Sequence, residues 1–568
     1  MNSIDPLKKA AGLLIPVFTL RRLGDWGIGD TQSVLETLRF CRRLGFKVLQ
    51  LLPINETGAD HSPYNAISSV ALDPVYIAID PQWVPGLTKE DCEKIVESEN
   101  LQSLNAGSVQ YNRVKSLKQA VLNEAFERFI QGRSLKSFLA FQKRESGWLV
   151  SYSLFRTLID YHEGNVCWTS WEKEHQTLAL GERWIREVED SDFWQNRRQF
   201  HAFVQWVAWT QWAEVRLEAD RLGIQIMGDI PFGVSRYSAD VWARQDLFDL
   251  EWSGGAPPEK FFKADPFTEK WGQNWGIPLY RWQNHEAENY AWWGERVRKT
   301  AEIFQLFRID HVLGFYRIYA FPWNPERNSD FMDLTVEEAR AKAAGNLPGF
   351  KPDSDERVIS ARLNCEQGEK RLQIILKVAG KTGVVAEDLG MVPSYVPESL
   401  QRLGIPGFII PTFVRNEATR EFLAIEDYPA LSLATFATHD HSPLKIIYEE
   451  MVQRWMGPNG REGWLEMQRL MRWLGSDDQN PPAQFTPELH QRFLERLLQS
   501  NSWLTVFMFS DLMGTGERYN SPGSMADSNW SFRLKFPLAE IENGAETLAH
   551  LDFVREKIVK SGRRGCKI

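Results

Sequence analysis

Eight short apolar runs recur along the chain, each bounded by turn-forming residues. They are GLLIPVFTL (12–20), KVLQLLPI (47–54), IQIMGDIPF (224–232), FQLFRIDHV (304–312), GVVAEDLG (383–390), GFIIPTF (407–413), ALSLATFATHD (430–440) and WLTVFMFSDLMG (503–514). Helical periodicity precedes most of them. Over 31–45, Val34, Leu38, Cys41 and Gly45 share one face, with Leu35 and Leu44 beside it. Further helices are predicted over 198–222, 366–380 and 486–499, and Gly45, Gly223 and Gly404 stand where helices should stop. Strand alternating with helix through eight strands predicts an α/β fold, a (β/α)8 TIM barrel. An open doubly wound sheet is the alternative, weakened because no glycine-rich phosphate loop follows the first run.

The spacing of the runs is uneven. About 170 residues separate the second run from the third, too many for one crossover helix. That interval carries helical patterns such as RVKSLKQAVLNEAFERFIQ (113–131). The predicted organisation is one barrel over 1–568 with a mostly helical subdomain inserted at 65–200. A covering loop region is expected at 241–284 and a second inserted segment at 316–365. All three follow strand ends, on the face where barrels of this class build their sites.

Composition narrows the field without pointing to a reaction. The net charge is −9, from 66 basic and 75 acidic residues, with no long cationic run, so nucleic acid and anionic membranes are poor partners. The cysteines (Cys41, Cys92, Cys167, Cys365, Cys566) are scattered and odd in number, which fits reduced thiols in a cytoplasmic protein. Lys8 and Lys9 precede an apolar run, but Arg21 and Arg22 follow it without a small-residue cleavage site. Tryptophan is unusually frequent, at 23 residues, and indoles in loops suit the flat faces of sugars as well as protein interfaces.

The carboxyl ends of four runs turn acidic. Asp229 ends one; Arg308, Asp310 and His311 end another; Glu387 and Asp388 a third; His439, Asp440 and His441 a fourth. In a barrel these ends converge on one mouth. Period-two alternation places Arg308 and Asp310 on one face of their strand and Phe307 and Ile309 on the other. The same count pairs Glu387 with Val385 and Asp440 with Thr438. Converging carboxylates fit glycosidic bond chemistry, in which one acid attacks the sugar and a protonated partner serves the leaving oxygen. Arg308 beside Asp310 would keep one ionised, and crowding would keep Glu387 protonated. Metal ligation by Asp229, Asp310, His439 and Asp440 is the competing chemistry. A salt-bridged barrel rim is the structural alternative, favoured for Asp388, which would cap a turn.

FRIDHVLGF, VVAEDLG and ATHD, in this order, resemble the signatures of the 4-α-glucanotransferases of glycoside hydrolase family 77. LQLLPINETG, HSPYNAISS, GDIPFGVS, APPEKFF, GQNWGIPLYRW, RYNSPGS and NWSFR extend the resemblance from about residue 11 to 535. The resemblance implies a retaining double displacement on α-1,4-glucans without cofactor or metal. Maltooligosaccharides, glucans and glucose would be the donors and acceptors. Asp310 would be the nucleophile, Glu387 the acid and base, and Asp440 the third carboxylate. Arg308 would pair with Asp310, and His439 and Asp229 would lie at the donor ring. Tyr64, with Ser62 in the same SPY motif, would stack on the donor sugar. Gln273 and Trp275 would sit on the covering loop, and Asn520 would come from the late Asn-x-Pro-Gly motif. The segment 264–271 and the stretch 316–365 depart from shorter members of the family, and His441 stands where Asn or Thr is commoner.

Transfer and hydrolysis use the same carboxylates, so a glucan hydrolase is a rival function, and a non-catalytic glucan-binding scaffold another. Favouring a sugar acceptor requires a surface that binds it and excludes productive water. The loop carrying Trp252, Trp271, Trp275 and Trp282 is the candidate, with Trp275 as the functional indole and hydrophobic pegs as the alternative role.

Overall fold

A computed structural model describes residues 2, 4–98, 101–132, 135–258, 265–458, 460–476, 480–522 and 528–563. Cys566 and parts of the APPEKFF and RYNSPGS motifs lie outside the described residues.

Eight parallel strands form the central sheet: β1 (Ala10–Leu14), β2 (Val48–Gln50), β3 (Gln225–Pro231), β4 (Leu306–Asp310), β5 (Gly383–Ala386), β6 (Gly407–Ile409), β7 (Ser432–Ala434) and β8 (Leu504–Met508). Their order is β6-β7-β8-β1-β2-β3-β4-β5. The ring is drawn together where the Ala386 N–H of β5 donates to Pro406 O, just before β6 (2.9 Å). This is the (β/α)8 barrel that the strand count predicts. The strands are shorter than the apolar runs. The first run bends at Pro16 into a 3-10 turn, Val17–Thr19, and the last passes from β8 directly into a helix, Phe509–Met513. What looks like strand continuation is buried helical turn in both runs.

The helices form for local reasons that the sequence states. The helix Thr31–Leu44 begins with a capping box, Asp30 accepting from Ser33 N–H and Ser33 Oγ accepting from Asp30 N–H. Such a cap contributes about 1 kcal/mol. Gly45, Gly223 and Gly404 end their helices in the left-handed region. Two predicted boundaries fall inside single helices. The 65–200 insertion runs without a break into the 32-residue helix Ser191–Leu222, and the 316–365 stretch into Val358–Ala379. In both cases one unbroken helix spans the expected boundary, so insertion and barrel share it.

The stretches 241–284 and 316–365 build one body. Strands Gln273–Tyr280, Phe248–Ala256, Ile318–Phe321 and Gly349–Lys351 pair in that order as an antiparallel sheet. Phe267, Trp271, Phe321, Trp323 and Phe331 pack as a separate small core beneath it. In the 65–200 stretch, helices Tyr111–Gln131, Lys136–Arg144, Ser146–Tyr161 and Leu178–Glu187 dominate.

Phe307 and Ile309 of β4 are fully buried with Leu372, Ile375 and Leu376 of the helix Val358–Ala379. Truncating such a side chain to alanine costs about 2–5 kcal/mol. Among the described residues, no helix is long and apolar enough to cross a membrane. Cys41, Cys92, Cys167 and Cys365 are unpaired thiols.

Candidate active site

The mouth of the barrel is organised around Arg308. Register pairs it with Asp229 on β3 and with Val385 on β5. Its guanidinium is almost fully buried and forks between two carboxylates. Nη1 donates to Asp229 Oδ2 (2.5 Å) and Nη2 to Asp310 Oδ1 (2.6 Å). The ring of Phe408 lies 5.8 Å from the guanidinium carbon. The Asp310–Arg308 bond shows both residues on one face of β4, as period two requires. The guanidinium lies between two of the donors that a metal ion would need, so the four-ligand metal reading loses its centre to a fixed cation.

Tyr64 joins this group from the loop after β2. Its hydroxyl donates to Asp229 Oδ2 (2.7 Å), and its ring stacks on His439 with centroids 4.8 Å apart and planes 9° from parallel. Ser62 touches no carboxylate of the site. Its Oγ accepts from Tyr64 N–H (3.3 Å) and so shapes the turn that presents the tyrosine.

Asp440 lies well beyond β7, which ends at Ala434, so strand alternation does not reach it. The predicted face shared with Thr438 is replaced by a turn, in which Asp440 N–H donates to Thr438 Oγ1 (3.4 Å). Its carboxylate is held by His439 Nε2 (3.1 Å) and by Asn520 Nδ2 (2.6 Å). Burial alone would raise its pKa, but the His439 imidazole, the bonds from His439 and Asn520, and the charge of Arg308 outweigh burial and hold it well below the usual carboxylate range.

Glu387 follows β5 directly and is buried at 8% exposure. Its Oε1 accepts from Leu389 N–H (2.9 Å) and its Oε2 from His311 N–H (2.8 Å). Burial first, and then the charge of Asp310, push its pKa up to about 7, although Arg308 and the two N–H groups pull the other way. Asp229 is likewise raised by burial, to about 6. Asp388 points elsewhere: its Oδ1 accepts from Phe408 N–H (2.7 Å) and ties the ends of β5 and β6.

Gln273 and Trp275 come from the small sheet. Trp275 is 39% exposed, its Nε1 donates to Gln273 Oε1 (3.1 Å), and its ring meets His311 edge-on at 4.8 Å. Trp271 is a buried peg, donating to Phe331 O (3.0 Å). Trp252 and Trp282 pack against Lys351 and Arg371.

Two further residues, absent from the sequence expectations, contact the site. Arg518 Nη2 donates to Asp440 O (2.8 Å) and its Nε to Asn520 O (2.6 Å), tying the late motif to the third carboxylate. Trp530 tilts against both Tyr64 and His439, at 5.8 and 5.9 Å. Both lie in motifs already quoted, RYNSPGS and NWSFR, and an arginine two residues before Asn520 was the available signal.

The family profile of the 4-alpha-glucanotransferases, glycoside hydrolase family 77, matches residues 15–539. The chain belongs to this family. A 4-alpha-glucanotransferase of Thermus thermophilus is 30% identical over 560 residues, covering 96% of this chain and 98% of that one. One from Chlamydia caviae is 29% identical over 547 residues, covering 93% and 91%. Among solved structures, an amylomaltase from Streptococcus agalactiae in complex with acarbose superimposes with a TM-score of 0.73 at 21% identity, over 98% of this chain and all (100%) of that one. An amylomaltase from Corynebacterium glutamicum gives 0.75 at 20% identity, over 98% and 76%. The chain is therefore a glucan-transferring enzyme.

Proposed function

We propose that this enzyme moves α-1,4-glucan segments between maltooligosaccharides, or onto glucose, by a retaining double displacement. Asp310 attacks the anomeric carbon, and the glycosidic C–O bond breaks. Glu387 gives its proton to the departing oxygen. A β-glucosyl ester on Asp310 results. The acceptor hydroxyl then attacks the same carbon, Glu387 takes its proton, and the Asp310 carboxylate leaves. Two inversions give net retention.

The observation that carries this reading is the contrast between two carboxyls at one mouth, one buried and held by backbone N–H groups and the other paired with a guanidinium. Glu387 is raised to about 7 by burial, while Asp310 lies against the Arg308 guanidinium at 2.6 Å. One carboxyl is prepared to donate a proton and its neighbour to attack. Asp440, held ionised by His439 and Asn520, suits the sugar hydroxyls and the positive charge of the oxocarbenium-like state. Asp229 Oδ1 is buried without a protein partner, which fits acceptance of a further hydroxyl. Tyr64 offers a ring at the donor sugar, and Trp275 with Gln273 an exposed surface for the acceptor. A cytoplasmic location belongs to the same reading and is supported by the free thiols.

Incubation of the pure enzyme with maltotriose tests it. Free glucose and a ladder of longer glucans should form while total reducing ends stay constant. Rising reducing ends with only shorter products would make the enzyme a hydrolase, and no turnover would leave a binding scaffold. Asp310→Asn should abolish transfer with the fold intact.

A further inference from the structure

Away from the barrel mouth, in the loop between the helices Ser146–Tyr161 and Leu178–Glu187, three ligating side chains meet within 4.8 Å. His162 Nε2 lies 2.9 Å from His175 Nδ1. Glu172 Oε2 lies 3.5 Å from the first and 3.3 Å from the second. A triangle with these sides has one point about 1.9 Å from all three corners. Zinc binds His nitrogen and carboxylate oxygen at about 2.0–2.2 Å, and tetrahedral angles then put neighbouring ligand atoms about 3.3 Å apart. An ion slightly above the plane of the triangle meets the distance condition, and the two Glu172 edges, at 3.5 and 3.3 Å, meet the angular one, with the 2.9 Å His162–His175 edge tighter than tetrahedral.

We propose that His162, Glu172 and His175 form a binding site for a divalent transition metal, zinc by preference. Two imidazoles and one carboxylate suit zinc over magnesium or calcium, which favour all-oxygen sets. The fourth position opens to solvent on the Glu172 side, where that side chain is 66% exposed, and falls to water. Cys167 lies in the same loop, but its thiol rests against Thr169 Oγ1 (3.4 Å).

The surroundings fix the ligands. His162 stacks on Trp171 at 4.7 Å, and Trp184 and Tyr161 meet His175 edge-on at 4.9 and 5.2 Å. Hydrogen bonding alone serves the cluster poorly: its three edges compete for the same few N–H groups, whereas one cation satisfies all three atoms. The site would also brace the mouth. His175 O accepts from Trp242 Nε1 (2.8 Å) and Gln176 O from Gln245 Nε2 (2.8 Å), in the segment that joins β3 to the small sheet. A metal here is a clasp for the inserted subdomain and takes no part in glucan chemistry.

The test uses full-length enzyme stripped with chelator, with Zn2+ and Co2+ as probes. One Zn2+ per chain should bind and raise Tm by at least about 2 °C. Co2+ should give the intense visible bands of a tetrahedral nitrogen–oxygen site. Glu172→Gln changes an exposed side chain and leaves folding intact; it should weaken zinc binding at least about tenfold. His162→Ala should remove both the bound equivalent and the Co2+ bands, and metal-free transfer activity should be unchanged in both variants. Absence of saturable Zn2+ binding would overturn the proposal, as would equal affinity in wild type, Glu172→Gln and His162→Ala.

Discussion

The backbone N–H of His311 donates to Glu387 Oε2 at 2.8 Å, and His311 makes that bond from the left-handed region, at φ 48°. The residue after Asp310, the proposed nucleophile, thus positions Glu387, the proposed acid, through its main chain. Left-handed backbone is costly for most side chains, tolerable for His, and free for Gly. His311→Gly should therefore keep the bond and the pH profile, with kcat within about threefold and KM raised by the lost contact to Trp275. His311→Val should cost about 1–3 kcal/mol of stability and lower kcat as Glu387 loses its donor. Thermal unfolding and steady-state kinetics on the pair check this; equal kcat in both variants would show that the backbone bond does not matter.

Glu387 makes a pH signature of its own. Its carboxyl is raised from 4.5 to about 7, chiefly by burial. Glycosylation needs the proton, so kcat/KM for maltotriose should fall as pH rises through about 7. The folded state also holds this proton more tightly than the unfolded chain. Stability from Glu387 is complete below about pH 4.5 and is lost as pH rises to about 7. Glu387→Gln should therefore be more stable than wild type at pH 8, by on the order of 1–3 kcal/mol, and equal to it near pH 4. Its transfer rate should drop by about 10²–10⁴. Urea unfolding of both proteins at the two pH values measures the difference.

The barrel was legible because its information is periodic. Eight apolar runs and the glycine stops after helices 31–45 and 198–222 follow from local pattern. Arg308 and Asp310 were legible because both sit inside β4, where alternation holds. Asp440 was found by its motif and not by alternation, since β7 ends six residues before it. The union of 241–284 and 316–365 into one sheet was not legible, because antiparallel pairing across a barrel strand leaves no local trace. His162 and His175 stand thirteen apart with Glu172 between them, a spacing that matches no helical metal motif and becomes a cluster only when the loop folds back.

Arg308 links two carboxylates that lysine could not hold together. A single ammonium lacks the fork that reaches Asp229 and Asp310 at once. Arg308→Lys should leave one of them without its partner and lower kcat by at least about 10²-fold, with folding retained. It should also move the acid limb of kcat/KM upward, because the unpartnered carboxylate binds protons more readily. An unchanged acid limb would mean that the guanidinium acts only as packing.

Asn520 offers the sharpest test of the third carboxylate. Its Nδ2 donates to Asp440 Oδ1 at 2.6 Å, and the bond helps hold Asp440 below its ordinary value of 3.8. Stability from that depressed pKa is present above about pH 3.8 and is lost as pH falls below it. Asn520→Asp keeps shape and volume but sets a second carboxyl against the first. Two like charges at this distance cannot both ionise freely, so one proton stays on the pair and its pKa rises by about 1–3 units. The acid limb of kcat/KM should move toward neutrality, so that activity at pH 4 falls relative to its own value at pH 6 by more than it does in wild type. Asn520→Ala removes the bond without adding charge and should lower kcat at every pH with a much smaller movement of the limb. If both variants give the same pH profile as wild type, Asp440 is not the ionised group that sets the acid limb.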